Sequence, residues 1–217
     1  ISNDLINAAK HSEAFIDFSS IESTLHASEI SAQARIVHVI GTTGFSIEQE
    51  EIIKAAARHA TVIKSGNMSL GINILLGVVQ NITKLVDDNW AIEISEIHHK
   101  EKKDHPSGTA LALGASVAKG KKIDLEENKV IDDPIIDAVD INLTKIRKNV
   151  VRKKDDIGFS SYRKDGVIGD HSVIFSSENE RIALTHIAKN RNIFANGALK
   201  AALWGQNKKP GLYSMQD

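Results

Sequence analysis

Hydrophobic positions in the first third of the chain follow two alternating rhythms. Ala14-Phe15-Ile16-Asp17-Phe18, Ile36-Val37-His38-Val39-Ile40 and Thr61-Val62-Ile63-Lys64 are short, strand-length runs, the second rich in β-branched residues. Between them lie two helical segments. One is capped by Ser19 or Ser20 and runs to about Ser31; the other spans about Ile47 to His59, with a Glu-rich first turn suited to a helix N-terminus. Strand, helix, strand, helix, strand in this order predicts a parallel sheet with crossover helices.

The pattern then changes. Ser69 caps a predicted helix over Leu70 to Val86, with Ile72, Leu75, Leu76, Val79, Ile82 and Val86 at helical spacing. Ala91 to Ile97 reads as a strand, and Pro106-Ser107 precedes a helical run from Gly108 to about Ala118. Ile157 to Tyr162, Ser172 to Phe175 and Arg181 to Ile187 read as strands without helical crossovers, which predicts an antiparallel part of a mixed sheet. A last helix spans about Ile193 to Trp204, and residues 120–155 show no clear period. The expected class is α/β: a partial Rossmann-like parallel-sheet domain over residues 1–69, an α+β mixed-sheet domain over 70–190, and a C-terminal helix and tail over 191–217 returning to the first domain.

Composition narrows the function classes. The chain has 217 residues, 41% hydrophobic and 25% charged, so a folded core is expected rather than disorder. A formal net charge of -1 argues against a dedicated nucleic-acid binder. With no cysteine, disulfide scaffolds, thiolate catalysis and cysteine-ligated zinc drop out. No apolar run approaches the roughly 20 residues that span a bilayer, and no signal peptide is visible, so no membrane partner and a cytoplasmic location are expected.

The chemistry concentrates in one segment, His98-His99-Lys100-Glu101-Lys102 through Pro106-Ser107-Gly108-Thr109. Histidine donates or accepts a proton near neutrality, and the adjacent lysines favour a carboxylate substrate. Neighbouring side chains on extended backbone point to opposite sides, so His98 and His99 share a pocket only where the backbone has left the strand. The helix start at Ser107-Gly108-Thr109 offers free N–H groups, a hydroxyl and close backbone approach to an anion. The bland alternatives are a solvated basic loop and an ordinary capping sequence.

Gly41-Thr42-Thr43-Gly44 and Ser65-Gly66-Asn67-Met68 each follow a predicted parallel strand, where open α/β sheets bind ligands. Neither is a Walker loop or a dinucleotide fingerprint, and plain turns are the alternative. Met68 covers a flat ring or packs in a core. A metal is not expected, because the spacing of His98, His99, Asp104 and His105 matches no ordered zinc motif. His38, His171 and His186 read as core or loop-positioning histidines with no assigned role. The basic cluster Lys145, Arg147, Lys148, Arg152, Lys153 and Lys154 reads as solvated, with cofactor phosphate contact or lid behaviour as the sharper alternative.

At this density of motifs the chain resembles the dihydrodipicolinate reductase family, also called 4-hydroxy-tetrahydrodipicolinate reductases. The segments that carry the resemblance are Phe15 to Phe18, Ile40 to Phe45, Gly66 to Ser69, Glu96 to Ala110, Gly169-Asp170-His171, Phe194 to Ala198, and Gly211 to Met215. The resemblance implies His98 as catalytic acid/base and Lys102 as proton donor. It implies His99, Gly108 and Thr109 as substrate contacts. Gly41, Thr42, Thr43, Ser65, Gly66, Asn67, Met68 and Arg191 are implied as cofactor contacts. It further implies NADH or NADPH as cofactor, a small dicarboxylate substrate in the diaminopimelate route to lysine, and a homotetramer built through the second domain. Residues 1–69 would then be the remainder of a dinucleotide-binding domain and 70–190 the substrate and oligomerisation domain.

Two departures from the family pattern stand out. The opening strand, glycine-rich dinucleotide turn and helix of the family are not seen, which predicts an N-terminally truncated chain that binds dinucleotide poorly or not at all. Asn142 to Lys148 occupies the place of a glycine-containing loop, so closure over substrate is expected to differ. Competing readings are another nicotinamide-dependent reductase on a related scaffold, resembling aspartate dehydrogenases, and an inactive oligomeric remnant.

Overall fold

The structure is a computed structural model. It describes residues 4–136, 141–144 and 153–217. Lys145, Arg147, Lys148 and Arg152 of the basic cluster lie outside the described residues, as does the end of the Asn142 to Lys148 loop. The chain divides into two compact units: the described residues up to Asn73 together with Asn192–Asp217, and Ile74–Arg191.

The first unit is built on a parallel sheet of β1 (Ala14–Asp17), β2 (Val37–Ile40), β3 (Thr61–Lys64) and β10 (Gly211–Tyr213), in the order β1-β2-β3-β10. After the short α1 (Leu5–Ala9), the crossovers are α2 (Ile21–Ala34) and α3 (Ile47–Ala56). Their boundaries follow local chemistry. Ser20 caps α2 by accepting from the Ser23 N–H, and left-handed Arg35 ends it. Ser46 and Gln49 form a capping box at the start of α3. β2 is buried along its whole length, as a strand covered on both faces must be. Ile40 and Val62 pack with Ile53 and Ala57 of the α3 side. Val37, Val39 and Ile63 pack with Met68 and with Ala198, Ala201 and Ala202 of α7 (Asn192–Gly205). β10 was not expected: three residues carry too little pattern to read, and their pairing with β3 is long-range.

The second unit holds a mixed sheet in the order β5-β7-β4-β8-β9, with β6 also paired to β7. Its strands are β4 (Ala91–His98), β5 (Lys129–Ile131), β6 (Ile135–Ile136), β7 (Ile157–Arg163), β8 (Asp170–Ser176) and β9 (Arg181–Ile187). β4–β8 and β8–β9 are antiparallel, while β7 runs parallel to β4. α4 (Leu70–Thr83) begins in the first unit and ends in the second, where α5 (Gly108–Lys121) and α6 (Leu125–Asn128) follow. The fold is therefore the expected α/β class, a Rossmann-like parallel sheet plus a mixed α+β sheet. Among the described residues, no helix is long and apolar enough to cross a membrane.

α7 reaches the backbone of the first unit through a position without a side chain. A Cβ at Gly197 would fall 1.7 Å from the Met68 carbonyl oxygen, so main chain meets main chain there. The Gly197→Ala variant, which gains about 1 kcal/mol of helix propensity in an unpacked helix, is expected here to lose about 2–4 kcal/mol through overpacking. Urea unfolding measures this, and a loss below about 0.5 kcal/mol would mean that the helix shifts freely.

Candidate active site

Strand register assembles the site. Glu96 and His98 are two residues apart on β4 and so share one face of the sheet. β7 sets Ser161 beside Glu96 and Arg163 beside His98, and β8 sets His171 beside Glu96 from the other side. Laterally paired residues project to the same face, so a carboxylate, two imidazoles, a guanidinium and a hydroxyl converge. Glu96 is 1% exposed, Arg163 2%, His171 3% and His98 8%. Charged groups this deep must be paired.

They are. The Ser107 N–H donates to both Glu96 oxygens at 3.2 and 3.1 Å, and the Ser161 hydroxyl donates to Oε1 at 2.9 Å. Two Arg163 nitrogens approach Oε1 at 3.4 Å. Oε2 faces His98 Nδ1 at 3.4 Å and His171 Nε2 at 3.6 Å. The Ser107 hydroxyl, 3.1 Å from His171 Nε2, also accepts the Ala110 N–H and so caps α5. One serine thus ties the start of α5 to the end of β4.

The His-Lys loop is held from the same place. Arg163 donates to the carbonyls of Lys102 at 3.2 Å and Asp104 at 2.8 Å. The Lys102 ammonium donates to both Asp104 oxygens at 2.8 Å, and this ion pair draws the Asp104 carboxyl below its ordinary value. β4 ends at His98, leaving His99 half-buried beyond it and Lys100 at the surface, paired with Asp165. Gly108 is exposed, with open space where a Cβ would stand, and Thr109 behind it is half-buried. The structure thus ties His98, the Lys102 loop and the Ser107-Gly108-Thr109 helix start to one buried cluster.

Electrostatics separates the two acid–base groups. Burial pushes the Glu96 carboxyl up, but His171, the Ser107 side chain, the charge of His98 and the Ser161 hydroxyl outweigh it and hold Glu96 well below its ordinary value. Burial lowers His98 to about 4; Glu96 opposes the drop, while His171, Lys102 and Arg163 reinforce it. Glu96, His98 and His171 also offer ligand atoms within 4.8 Å of one another. The Arg163 guanidinium already sits on that carboxylate, so the cluster reads as an ion-pair network rather than a cation cage.

In the first unit, the loops 41–44 and 65–68 stand at the carboxyl ends of the adjacent parallel strands β2 and β3. The Ser65 N–H donates to the Ile40 carbonyl at 3.2 Å, and a Cβ at Gly66 would lie 4.0 Å from the Thr43 methyl, so the loops touch. Thr24 donates to the Thr42 hydroxyl at 3.0 Å. This paired-loop edge fits a dinucleotide as open parallel sheets do. Met68 is 1% exposed, and its side chain belongs to the core cluster against α7. Arg191 is exposed in the turn leading to α7. Behind the loops, Asp17 and His38 are buried 3.5 Å apart.

Sequence pattern assigns no site role to Glu96, Ser161, Arg163 or His171, which the strand register brings together. Two glutamates within an eight-residue strand otherwise rich in isoleucine were the available signal.

A Rossmann-like parallel sheet joined in one chain to a mixed sheet with a buried carboxylate–imidazole cluster defines a two-unit α/β enzyme class. Sequence comparison gives the family. The model for the C-terminal part, "Dihydrodipicolinate reductase, C-terminus", matches residues 71–217, and "Dihydrodipicolinate reductase, N-terminus" matches residues 1–68. The chain belongs to the dihydrodipicolinate reductase family. It is 52% identical over 215 residues to the 4-hydroxy-tetrahydrodipicolinate reductase of Parvibaculum lavamentivorans, covering 99% of this chain and 74% of that protein. It is 48% identical over 220 residues to the enzyme of the same name from Rhizobium rhizogenes, covering 100% and 75%. In fold it is similar to a dipicolinate-bound dihydrodipicolinate reductase from Paenisporosarcina sp. TG-14, with a TM-score of 0.75, 20% identity and coverage of 99% and 76%.

The N-terminal match corrects the expectation of an N-terminally truncated chain. That reading rested on failing to see a glycine-rich turn, yet the family's N-terminal domain is recognised over residues 1–68. Physically, the crossover helices and β-branched strands are what build the parallel sheet, and they are present.

His98 also makes a prediction about stability. Its value in the folded chain, about 4, lies below its ordinary 6.5. Below about 6.5 the unfolded chain therefore takes up a proton that the folded chain refuses. This contribution is complete above that pH and is lost as pH falls towards about 4, at a cost of about 3 kcal/mol. Glu96, lowered as well, adds a loss of the same sign at still lower pH. Urea unfolding at pH 7, 5.5 and 4 is expected to show a steeper fall for the wild type than for His98→Gln; equal slopes would contradict the assignment.

Proposed function

We propose that this chain reduces 4-hydroxy-tetrahydrodipicolinate, or dihydrodipicolinate, to tetrahydrodipicolinate with NADH or NADPH, as a cytoplasmic enzyme of the diaminopimelate route to lysine. The observation that carries this reading is the joining of His98, the Lys102 loop and the α5 start around one buried carboxylate, in a chain of this family. The first unit takes the dinucleotide at Gly41, Thr42, Thr43, Ser65, Gly66, Asn67 and the Met68 main chain, and Arg191 is a further candidate cofactor contact. The second unit takes the substrate and makes the assembly contacts.

A nicotinamide dinucleotide, when bound, supplies the hydride. The side chains named here do the rest. The start of α5 at Gly108 and Thr109, the positive end of that helix, receives one substrate carboxylate, and His99 contacts the same molecule. Lys102 exchanges its exposed Asp104 partner for the substrate and delivers a proton as charge develops on the reacting carbon. His98 is neutral in the free protein, and a dianionic substrate raises its affinity for a proton, so it serves as acid/base in the same step. Association into a homotetramer would run through this sheet, whose outer strand β9 is exposed along most of its length.

Steady-state kinetics with each cofactor test the reading. His98→Ala is expected to lower kcat by about 10²–10⁴-fold, the range for a lost general acid–base group, with a smaller change in KM. An unaltered kcat would remove the acid/base role from His98.

A further inference from the structure

The donors on Glu96 are unevenly placed. Ser161 and both Arg163 nitrogens gather on Oε1, and the Ser107 N–H is shared, leaving Oε2 turned towards the two imidazoles. His98 Nδ1 is fully buried and makes no hydrogen bond of ordinary geometry; the carboxylate oxygen near it is Oε2 at 3.4 Å. The other ring nitrogen faces a different place. A Cβ at Gly169 would lie 2.8 Å from His98 Nε2, so the missing side chain there is what leaves Nε2 uncovered. The imidazole therefore has a carboxylate edge and an open edge.

We propose that Glu96 is a positioning residue and counter-ion for His98, holding the ring by Nδ1 so that Nε2 is the nitrogen that exchanges the proton. This rests on the reading of His98 as the acid/base. Every charged or titratable group around the ring is consistent with it. Glu96 on β4 favours a proton on His98, while Arg163 on β7, His171 on β8 and Lys102 in the loop oppose it. Asp104 holds Lys102, Asp170 accepts the Ala188 N–H, and His186 on β9 stands behind His171. Glu96 thus supplies the negative charge that lets His98 become cationic in a surrounding otherwise weighted against it.

Glu96→Gln keeps the size and removes the charge. The amide oxygen is expected to take the Oε1 position, because Ser161 and Arg163 donate there. Its NH2 then falls at Oε2 and donates to Nδ1, switching the neutral tautomer of His98. The experiment is ¹⁵N-histidine NMR on the full chain, with His98 assigned by subtraction of His98→Gln. Wild type should show neutral His98 protonated at Nδ1. Glu96→Gln should show it protonated at Nε2, with a titration midpoint at least one pH unit lower. Its kcat should fall about 10- to 100-fold, part of what general acid–base catalysis contributes, with KM within about threefold and the acid limb of the rate profile displaced. Glu96→Asp, which keeps the charge, should restore the midpoint towards wild type.

A wild-type His98 protonated at Nε2 overturns the proposal without any variant having to fold. So does a folded Glu96→Gln protein with unchanged tautomer, midpoint and kcat while His98→Ala is inactive. A fully active His98→Ala protein instead overturns the acid/base reading on which the proposal stands.

Discussion

Taking a carboxylate out of water costs several kcal/mol unless protein donors replace the solvent. Glu96, 1% exposed, meets this cost with donors from separate stretches of chain: Ser161 and Arg163 on β7 and the Ser107 N–H at the start of α5, with His171 of β8 alongside. Each donor is fixed within its own element. Satisfying Glu96 therefore also fixes where β7, β8 and α5 stand about the end of β4. Losing one partner would leave a buried charge unpaired, which costs more than the intact pair gains. The position of His98 is a consequence of that constraint.

Arg163 extends the same constraint into the loop. Its donors are divided between Glu96 and the carbonyls of Tyr162, Lys102 and Asp104. A stretch that looks by composition like a solvated basic run is thereby held to the sheet. The Lys102–Asp104 pair above it is of another kind. Asp104 is 60% exposed, and exposed pairs contribute only about 0–1 kcal/mol, so Lys102 is held weakly. The cluster is tightly paired in its buried layer and loosely paired in its outer one.

The sequence made this outer layer legible and hid the buried one. Ser20, Ser46 and Ser107 announce helix starts through local chemistry, and β2 and β3 announce themselves by β-branched runs. His98, Lys102, Gly108 and Thr109 are neighbours in sequence, so their conjunction could be seen. Glu96, Arg163 and His171 meet only through the register of three strands far apart in the chain. No local spacing encodes that register, and β5, β6 and β10 were unreadable because each has three residues or fewer. The truncation reading failed because it weighed one unseen turn motif above the pattern of strands and helices over residues 1–68, which the N-terminal family model matches.

His38 and His98 are both buried beside a carboxylate, but in different surroundings. In the first unit, burial pushes the Asp17 carboxyl up, but His38, Ser19 and Thr24 together hold it well below its usual value. His38 is 0% exposed, with Ser28 at 3.3 Å on its other nitrogen, and no guanidinium is recorded on Asp17 among the described residues. His38 is thus itself a partner on which the buried Asp17 depends. Glu96 has a permanently charged partner in Arg163 and so does not depend on His98 for neutralisation. An imidazole beside a carboxylate that is already satisfied can gain and lose a proton without dismantling the structure around it. That difference in neighbours, rather than burial or a lowered pKa alone, separates the surroundings of His98 from those of His38.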